Sequence, residues 1–224
     1  MDVEIVHRPD AAMGIIKLQA NESLQAEAGA MVGMSGDVEI KTESRGGLMG
    51  GLKRAVLGGE SFFLNTFTAP TGGEVMVASP LPGDVVHYPM EGGTLMVQSG
   101  SYMASSMEVV VDTKWGGAKS FFGGEGLFLL RCSGTGSLVL SSYGAIQELE
   151  LGPAEKYKVD SGHIVAFAEG MGYEVKKVGG WKSTILSGEG LIVELTGPGK
   201  VMLQTRSPQG FLNWLLPQLP KPSN

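Results

Sequence analysis

The chain carries few of the residues from which covalent and metal chemistry are built. Cys132 is the only cysteine in 224 residues, so no internal disulfide forms. It falls at the end of a predicted strand, where a small buried thiol is common. Three histidines occur, His7, His87 and His163, and no two share the close spacing of metal-ligand pairs. Metal-binding cupins need two histidines one residue apart with a nearby glutamate, and this chain has no such pair. Aromatic residues make up 7 %, too few for base-stacking platforms. Lys and Arg number 17 against 23 Asp and Glu, giving a net charge of −6 and a pI near 5.1. That balance speaks against phosphate-backbone binding, which needs a basic face. No apolar run approaches bilayer length, and the opening Met1-Asp-Val-Glu4 has no positive segment followed by apolar residues. The expectation is a soluble, cytoplasmic protein with no cofactor and no metal.

Glycine is abundant instead, at 35 residues, about twice its average share. Many glycines belong to a signal that returns three times. Gly58-Gly-Glu-Ser-Phe-Phe-Leu64 reappears as Gly123-Gly-Glu-Gly-Leu-Phe-Leu129 and as Ser187-Gly-Glu-Gly-Leu-Ile-Val193, with Glu60, Glu125 and Glu189 spaced by 65 and 64 residues. A second marker precedes it in each copy: Leu24–Gly29, Leu95–Gly100 and Tyr157–Gly162. A third lies between the two, at Gly50-Gly-Leu-Lys53, Gly116-Gly-Ala-Lys119 and Gly179-Gly-Trp-Lys182. The fourth is an apolar run, at 74–78, 137–141 and 200–204, with 13–17 opening the series. Four markers in one order, three times over, identify one unit written three times. The units span roughly 13–71, 72–135 and 136–199, followed by a closing strand at 200–207 and an apolar tail at 208–224.

The apolar runs are short, rich in Val, Ile, Leu and Phe, and bounded by Gly, Pro or Ser, as strands are. Gly29, Gly100 and Gly162 fall between such runs, where a positive φ is expected. Val75 and Val77 alternate with Met76, and Leu138 and Leu140 with Val139, so these strands are apolar on both faces. Double-sided apolarity predicts that each unit packs on its own partner sheet and on a neighbouring unit. A unit of this size alone would bury only about 60 % of its unfolded surface. The prediction is therefore a single all-β domain, 1–224, with three internal repeats around a pseudo-threefold axis. Helical periodicity is nearly absent, and Gly210–Pro217 offers a turn or two at most before Pro217 and Pro220.

Candidate sites are few. The Gly-Gly-x-Lys segments lack the spacing of a phosphate-binding loop and precede no helix, and Ser133-Gly-Thr-Gly136 lacks the third glycine of a dinucleotide fingerprint. Both are read as turns. Lys53, Lys119 and Lys182, with Glu60, Glu125 and Glu189, occupy equivalent places. They are either solvated loop charges, the favoured reading, or a ring that gathers an anionic ligand. No Ser, His and Asp set can be chosen on spacing, and Glu148 and Glu150 alternate toward solvent on one strand. Phe211, Leu212, Trp214, Leu215 and Leu216 form a candidate contact surface. They plug an open end of the domain, the favoured reading, or dock on another subunit, or touch a membrane peripherally. The last option lacks the Lys/Arg-rich face that interfacial helices favour.

The repeated Gly-Glu-Gly/Ser strand, the turns at Gly29, Gly100 and Gly162, and the ending Gln204-Thr-Arg-Ser-Pro-Gln-Gly-Phe-Leu-Asn-Trp-Leu-Leu-Pro-Gln-Leu-Pro220 resemble a widespread family. It includes a yeast protein named for altered inheritance of mitochondria. The resemblance covers nearly the whole chain. It implies a TRAP-like β-sandwich, a short double-stranded β-helix similar to the tryptophan RNA-binding attenuation protein, in three copies. It carries over no catalytic residues, and RNA binding does not follow from a shared fold. The mitochondrial member's link to inner-membrane organisation suggests a role in membrane or complex organisation. The functional expectation is a non-enzymatic scaffold or binding protein, a homo-oligomer or the holder of a protein partner, with no nucleic acid. An anionic small-ligand binder is the alternative, and a metal-dependent enzyme ranks last.

Overall fold

The computed structural model describes residues 1–43, 62–112, 121–122, 127–177 and 191–220. The described residues are mostly β-strand, and the fold is all-β. In chain order the strands are β1 (Asp2–Val6), β2 (Met13–Leu18), β3 (Glu22–Glu27), β4 (Met31–Met34), β5 (Glu39–Glu43) and β6 (Leu64–Ala69). Next come β7 (Gly73–Ala78), β8 (Val85–Gln98), β9 (Tyr102–Ser106), β10 (Val109–Asp112), β11 (Phe121–Phe122) and β12 (Leu127–Ser141). The last six are β13 (Ile146–Leu151), β14 (Lys156–Asp160), β15 (Ile164–Ala168), β16 (Gly172–Lys177), β17 (Leu191–Thr196) and β18 (Gly199–Gln204). A helix, α1 (Pro208–Leu215), follows, and a single 3₁₀ turn at Leu216–Gln218 continues it. Ser207 caps α1 by accepting from the Gly210 N–H at 3.3 Å, and Pro208 opens it, as the fixed φ of proline favours.

Strand pairing repeats itself along the chain. β6 lies between β3 and β5; the first half of β12 lies between β8 and β10; β17 lies between β14 and β16. On the other layer β7 lies between β2 and β4, the second half of β12 between β8 and β9, and β18 between β13 and β15. All of these pairs are antiparallel. These pairings group the strands into three segments, β2–β7, β8–β12 and β13–β18. Each ends in the apolar run that the sequence units place at the start of the next copy. Two further pairings stitch successive segments together. β3 pairs with β9, placing Leu24, Gln25 and Ala26 opposite Ser106, Ser105 and Ala104. β8 pairs with β15, placing Leu95, Met96 and Val97 opposite Ala168, Phe167 and Ala166. A closed threefold ring would also need β14 on β4. Among the described residues both are edge strands, of a three-stranded and a four-stranded sheet.

The core follows the two-faced strands. Val75 and Val77 are buried, as are Leu138, Val139 and Leu140. Val139 packs with Ile16, Leu24, Phe67 and Val77 rather than with its own segment's core. Met202 joins the cluster of Leu95, Val97, Leu138 and Leu140 in the same way. Met76, the matching position in the first segment, is only half-buried.

Two local expectations change. Gly29 has φ 94°, but Gly100 and Gly162 are not among the positive-φ glycines. They lie inside 3₁₀ turns, closed by Tyr102 N–H on Ser99 O and Ile164 N–H on Ser161 O, whose φ is the ordinary helical one. Glycine is needed at 162 for space instead, because a Cβ there would sit 2.5 Å from Ser207 Oγ. Second, Ser133–Gly136 is no turn but part of continuous β12, where the register with β8 shifts between Ser133 and Thr135. Ahead of the first apolar run lies β1, held antiparallel to β2 with Asp2 opposite Lys17.

Candidate functional site

One feature recurs where each 3₁₀ turn or glycine turn leads into the next strand. Between β4 and β7 the register steps from Met31 to Gly33, leaving Val32 as an extra residue. Between β9 and β12 it steps past Met103, and between β15 and β18 past Val165. A one-residue bulge re-aims its side chain out of the sheet. Met103 thereby enters the cluster around Leu24 and Phe67, and Val165 enters the cluster around Val97 and Leu138. Val32 has no such host among the described residues and is 58 % exposed. Its neighbours Met31 and Met34 are exposed as well.

The opposite edge is β14. Tyr157 is 42 % exposed, whereas Leu24 and Leu95, at the same place before the turn glycine, are buried. Lys156 and Lys158 flank it and turn toward Glu194 on β17. Lys156 Nζ donates to Glu194 Oε1 at 3.0 Å, Lys176 Nζ lies 3.2 Å from the same oxygen and Lys158 Nζ 3.9 Å from Oε2. The hydrogen bonds from Lys156 and Lys176 hold the Glu194 carboxyl below the usual carboxylate range. Glu174 lies 2.9 Å from Lys176 Nζ as well, so three lysines face two carboxylates and β14 keeps an excess positive charge beside the exposed Tyr157.

Polar ties fix the junctions between segments. Arg8 grips Asp84 with two hydrogen bonds, Nε to Oδ1 at 2.7 Å and Nη2 to Oδ2 at 2.8 Å, and the hydrogen bond raises the arginine's pKa. Asp84 is buried and also accepts from the Val85 N–H at 2.9 Å. Gln25 Nε2 donates to Ser105 Oγ at 3.0 Å and to Val109 O at 2.7 Å inside the β3–β9 seam. Arg131 Nε donates to Glu169 Oε1 at 2.8 Å beside the β8–β15 seam. Gln204 accepts from Tyr143 N–H and donates to Gly162 O, each at 2.8 Å.

The tail does not plug an end of the domain. Leu212, Trp214 and Leu216 are exposed, Trp214 at 63 %, while Phe211 makes an edge-on ring contact with Tyr143 at 6.2 Å. The favoured burial fails: no residue of α1 is fully buried, and Phe211 is its one described ring contact to the body. Leu215 is half-buried.

The remaining expected residues divide into two groups. Lys53, Lys119, Lys182, Glu60, Glu125 and Glu189 all lie outside the described residues. The histidines stay apart: His7 precedes β2, His87 lies on β8 against Ser137 Oγ at 2.9 Å, and His163 meets Gln204 O through Nδ1 at 2.8 Å. Burial lowers the pKa of His87. Among the described residues no group of three His, Cys, Asp or Glu could hold a metal ion. Cys132 is fully buried within β12, and desolvation pushes its thiol up to about 12. Glu148 and Glu150 are exposed, with Lys200 Nζ 3.1 Å from Glu148.

Comparison with known proteins matches this arrangement to one family. The sequence model of the family described as mitochondrial biogenesis AIM24 matches residues 3–206. An uncharacterised protein of Streptococcus pyogenes serotype M6 is 27 % identical over 218 residues, covering 93 % of this chain and 87 % of that protein. A crystal structure of a Streptococcus pyogenes protein superposes with a TM-score of 0.81 at 23 % identity, covering 97 % of this chain and 99 % of the other. That likeness is one of fold.

Proposed function

This chain belongs to the AIM24 family, named for mitochondrial biogenesis, and from that premise we propose that it is a non-enzymatic scaffold or binding protein that works as an assembly. The observation that carries this reading is the pair of exposed apolar surfaces on a rigid β body. Helix α1 and the 3₁₀ turn after it hold Leu212, Trp214 and Leu216 in solvent, and β4 holds Met31, Val32 and Met34 there. Grouped exposed apolar residues mark contact surfaces.

In this reading the body is one TRAP-like unit used three times, as the equivalent pairings of β3, β8 and β14 suggest. The pseudo-threefold relation then applies to two seams within the chain. The partner is a protein or a membrane-associated complex rather than nucleic acid, in keeping with the net charge of −6. No helix among the described residues is long and apolar enough to cross a membrane, so any membrane role is peripheral or strand-based. The proposed setting is the cytoplasm, where a lone buried thiol such as Cys132 persists reduced.

Sedimentation velocity at micromolar concentration tests the proposal on the full chain and on residues 1–207. The full chain is expected to sediment as an assembly. A full chain that is monomeric at every concentration, and that binds neither protein nor vesicles, would overturn it.

A further inference from the structure

We propose that β14 of one copy pairs with β4 of a second copy, so that molecules join head to tail by the same seam that joins segments inside the chain. This rests on the reading of the protein as a self-associating scaffold, and names the surface and the partner. Both internal seams follow one rule. The strand before the turn glycine of one segment pairs antiparallel with the strand after the turn of the next. Applied to the turn at Gly162 and the turn at Gly29, that rule places Tyr157 opposite Ser35, Lys158 opposite Met34 and Val159 opposite Gly33.

The residues at these edges fit the rule position by position. The third place of each seam pairs Ala26 with Ala104 and Val97 with Ala166, so a small residue always sits on the second strand. Gly33 supplies it on β4. The bulged residue of the second strand enters the first strand's core in both seams, as Met103 and Val165 do. Val32 is the bulged residue of β4 and stands in solvent. Met76 matches the guests Val139 and Met202, which bury fully in the neighbouring core, yet it is half-buried.

The receiving side is open to match. Tyr157 is exposed where Leu24 and Leu95 are covered by their seams. Leu203 is half-buried where its counterparts Val77 and Leu140 are completely buried. Among the described residues, one end thus carries apolar guests without a host, and the other a host without guests. Because the two ends differ, the contact is heterologous. It yields a closed ring if the rotation per copy returns to the start, and a filament otherwise.

Cysteine pairing tests the register directly, with the buried native Cys132 as a silent background. The positions are exposed, so Met34→Cys and Lys158→Cys each leave the fold intact. Under mild oxidation the mixture of the two single variants is expected to form a covalent dimer that neither forms alone. The double variant is expected to form covalent multimers. An intrachain disulfide in the double variant would overturn the proposal by showing that the edges close within one chain. No cross-link in a protein that sediments as an assembly would also overturn it, leaving the scaffold reading in place. No cross-link in a monomeric protein would overturn the pairing, and would remove the scaffold reading as well if that monomer binds neither protein nor vesicles.

Discussion

Ala26 on β3 faces Ala104 on β9 across an antiparallel pair, and both side chains are completely buried. The same relationship joins Val97 on β8 to Ala166 on β15. Small residues at these points let two strands from different segments meet while the bulged Met103 and Val165 pass into the neighbouring core. Ala104→Leu adds volume to a filled seam and is expected to destabilise the protein by about 1–3 kcal/mol, read from urea unfolding. Gly33→Ala, at the matching place on the open edge, is expected to change the unfolding midpoint little. Its new Cβ meets only the flexible Met76 Cε at 3.3 Å.

Arg8→Ala leaves buried Asp84 without its bidentate partner. Arg8 itself is half in water, which discounts the charge term, so a loss of roughly 1–3 kcal/mol is expected from the hydrogen bonds to a charged group. Arg8→Lys recovers only part of it, since an ammonium cannot match the fork geometry. Denaturant midpoints of the three proteins check both statements.

Cys132 makes stability fall with alkali. The thiol titrates near about 8.5 in the unfolded chain. In the folded chain desolvation holds it at about 12. Between those values the unfolded state binds fewer protons, so its contribution to stability declines by about 1.4 kcal/mol per pH unit as pH rises. The stability difference between wild type and Cys132→Ala should therefore shrink on moving from neutral pH into that window. In native protein the thiol is also expected to resist alkylation at neutral pH and to react once unfolded.

Glu194 has the opposite sign. Its carboxyl is held low by Lys156 and Lys176, so its contribution is present above the unfolded value of about 4.3 and lost as pH falls through the lower folded value. Glu194→Gln is expected to lower thermal stability at neutral pH and to converge on wild type in acid. A constant gap between the two across that range would count against the lysine cluster as the cause.

How much of this was legible in the sequence depends on the kind of constraint. Repeated apolar runs fix strands because period-two patterning is local, and the strands Glu22–Glu27, Val85–Gln98 and Lys156–Asp160 lie where the markers before the turn glycines put them. The proline stops placed a short helical stretch at Gly210–Pro217, while its start at Pro208 behind the Ser207 cap was not read from the sequence. The bulges at Val32, Met103 and Val165 were not readable, because nothing in an apolar residue's identity says that its neighbour skips a pairing. Gly100 and Gly162 misled because glycine serves close packing as well as positive φ. The open edges at β4 and β14 were invisible for a deeper reason. Met31, Val32 and Met34 look like core residues in any sequence, and only the pairing of the whole chain reveals that their host is missing. The repeated lysines and glutamates lie outside the described residues, so their role rests on sequence alone.

Residues 208–224 are expected to be dispensable for folding. Helix α1 has no fully buried residue and its one described ring contact to the body is Phe211 on Tyr143. Removing the segment should leave the unfolding free energy within about 0.5 kcal/mol, as for surface changes generally. It should also reduce binding to hydrophobic matrices, which reports the exposed Trp214 and Leu216.

Light scattering of the full chain beside Val32→Glu at equal micromolar concentration tests head-to-tail association most directly. A charge on the exposed bulge should not disturb the folded chain but cannot enter an apolar host. The expected result is a wild-type mass that is a multiple of 23.5 kDa, falling toward 23.5 kDa in the variant with its circular dichroism unchanged. Equal masses for the two proteins, whether single-chain or assembled, would contradict the assigned edge.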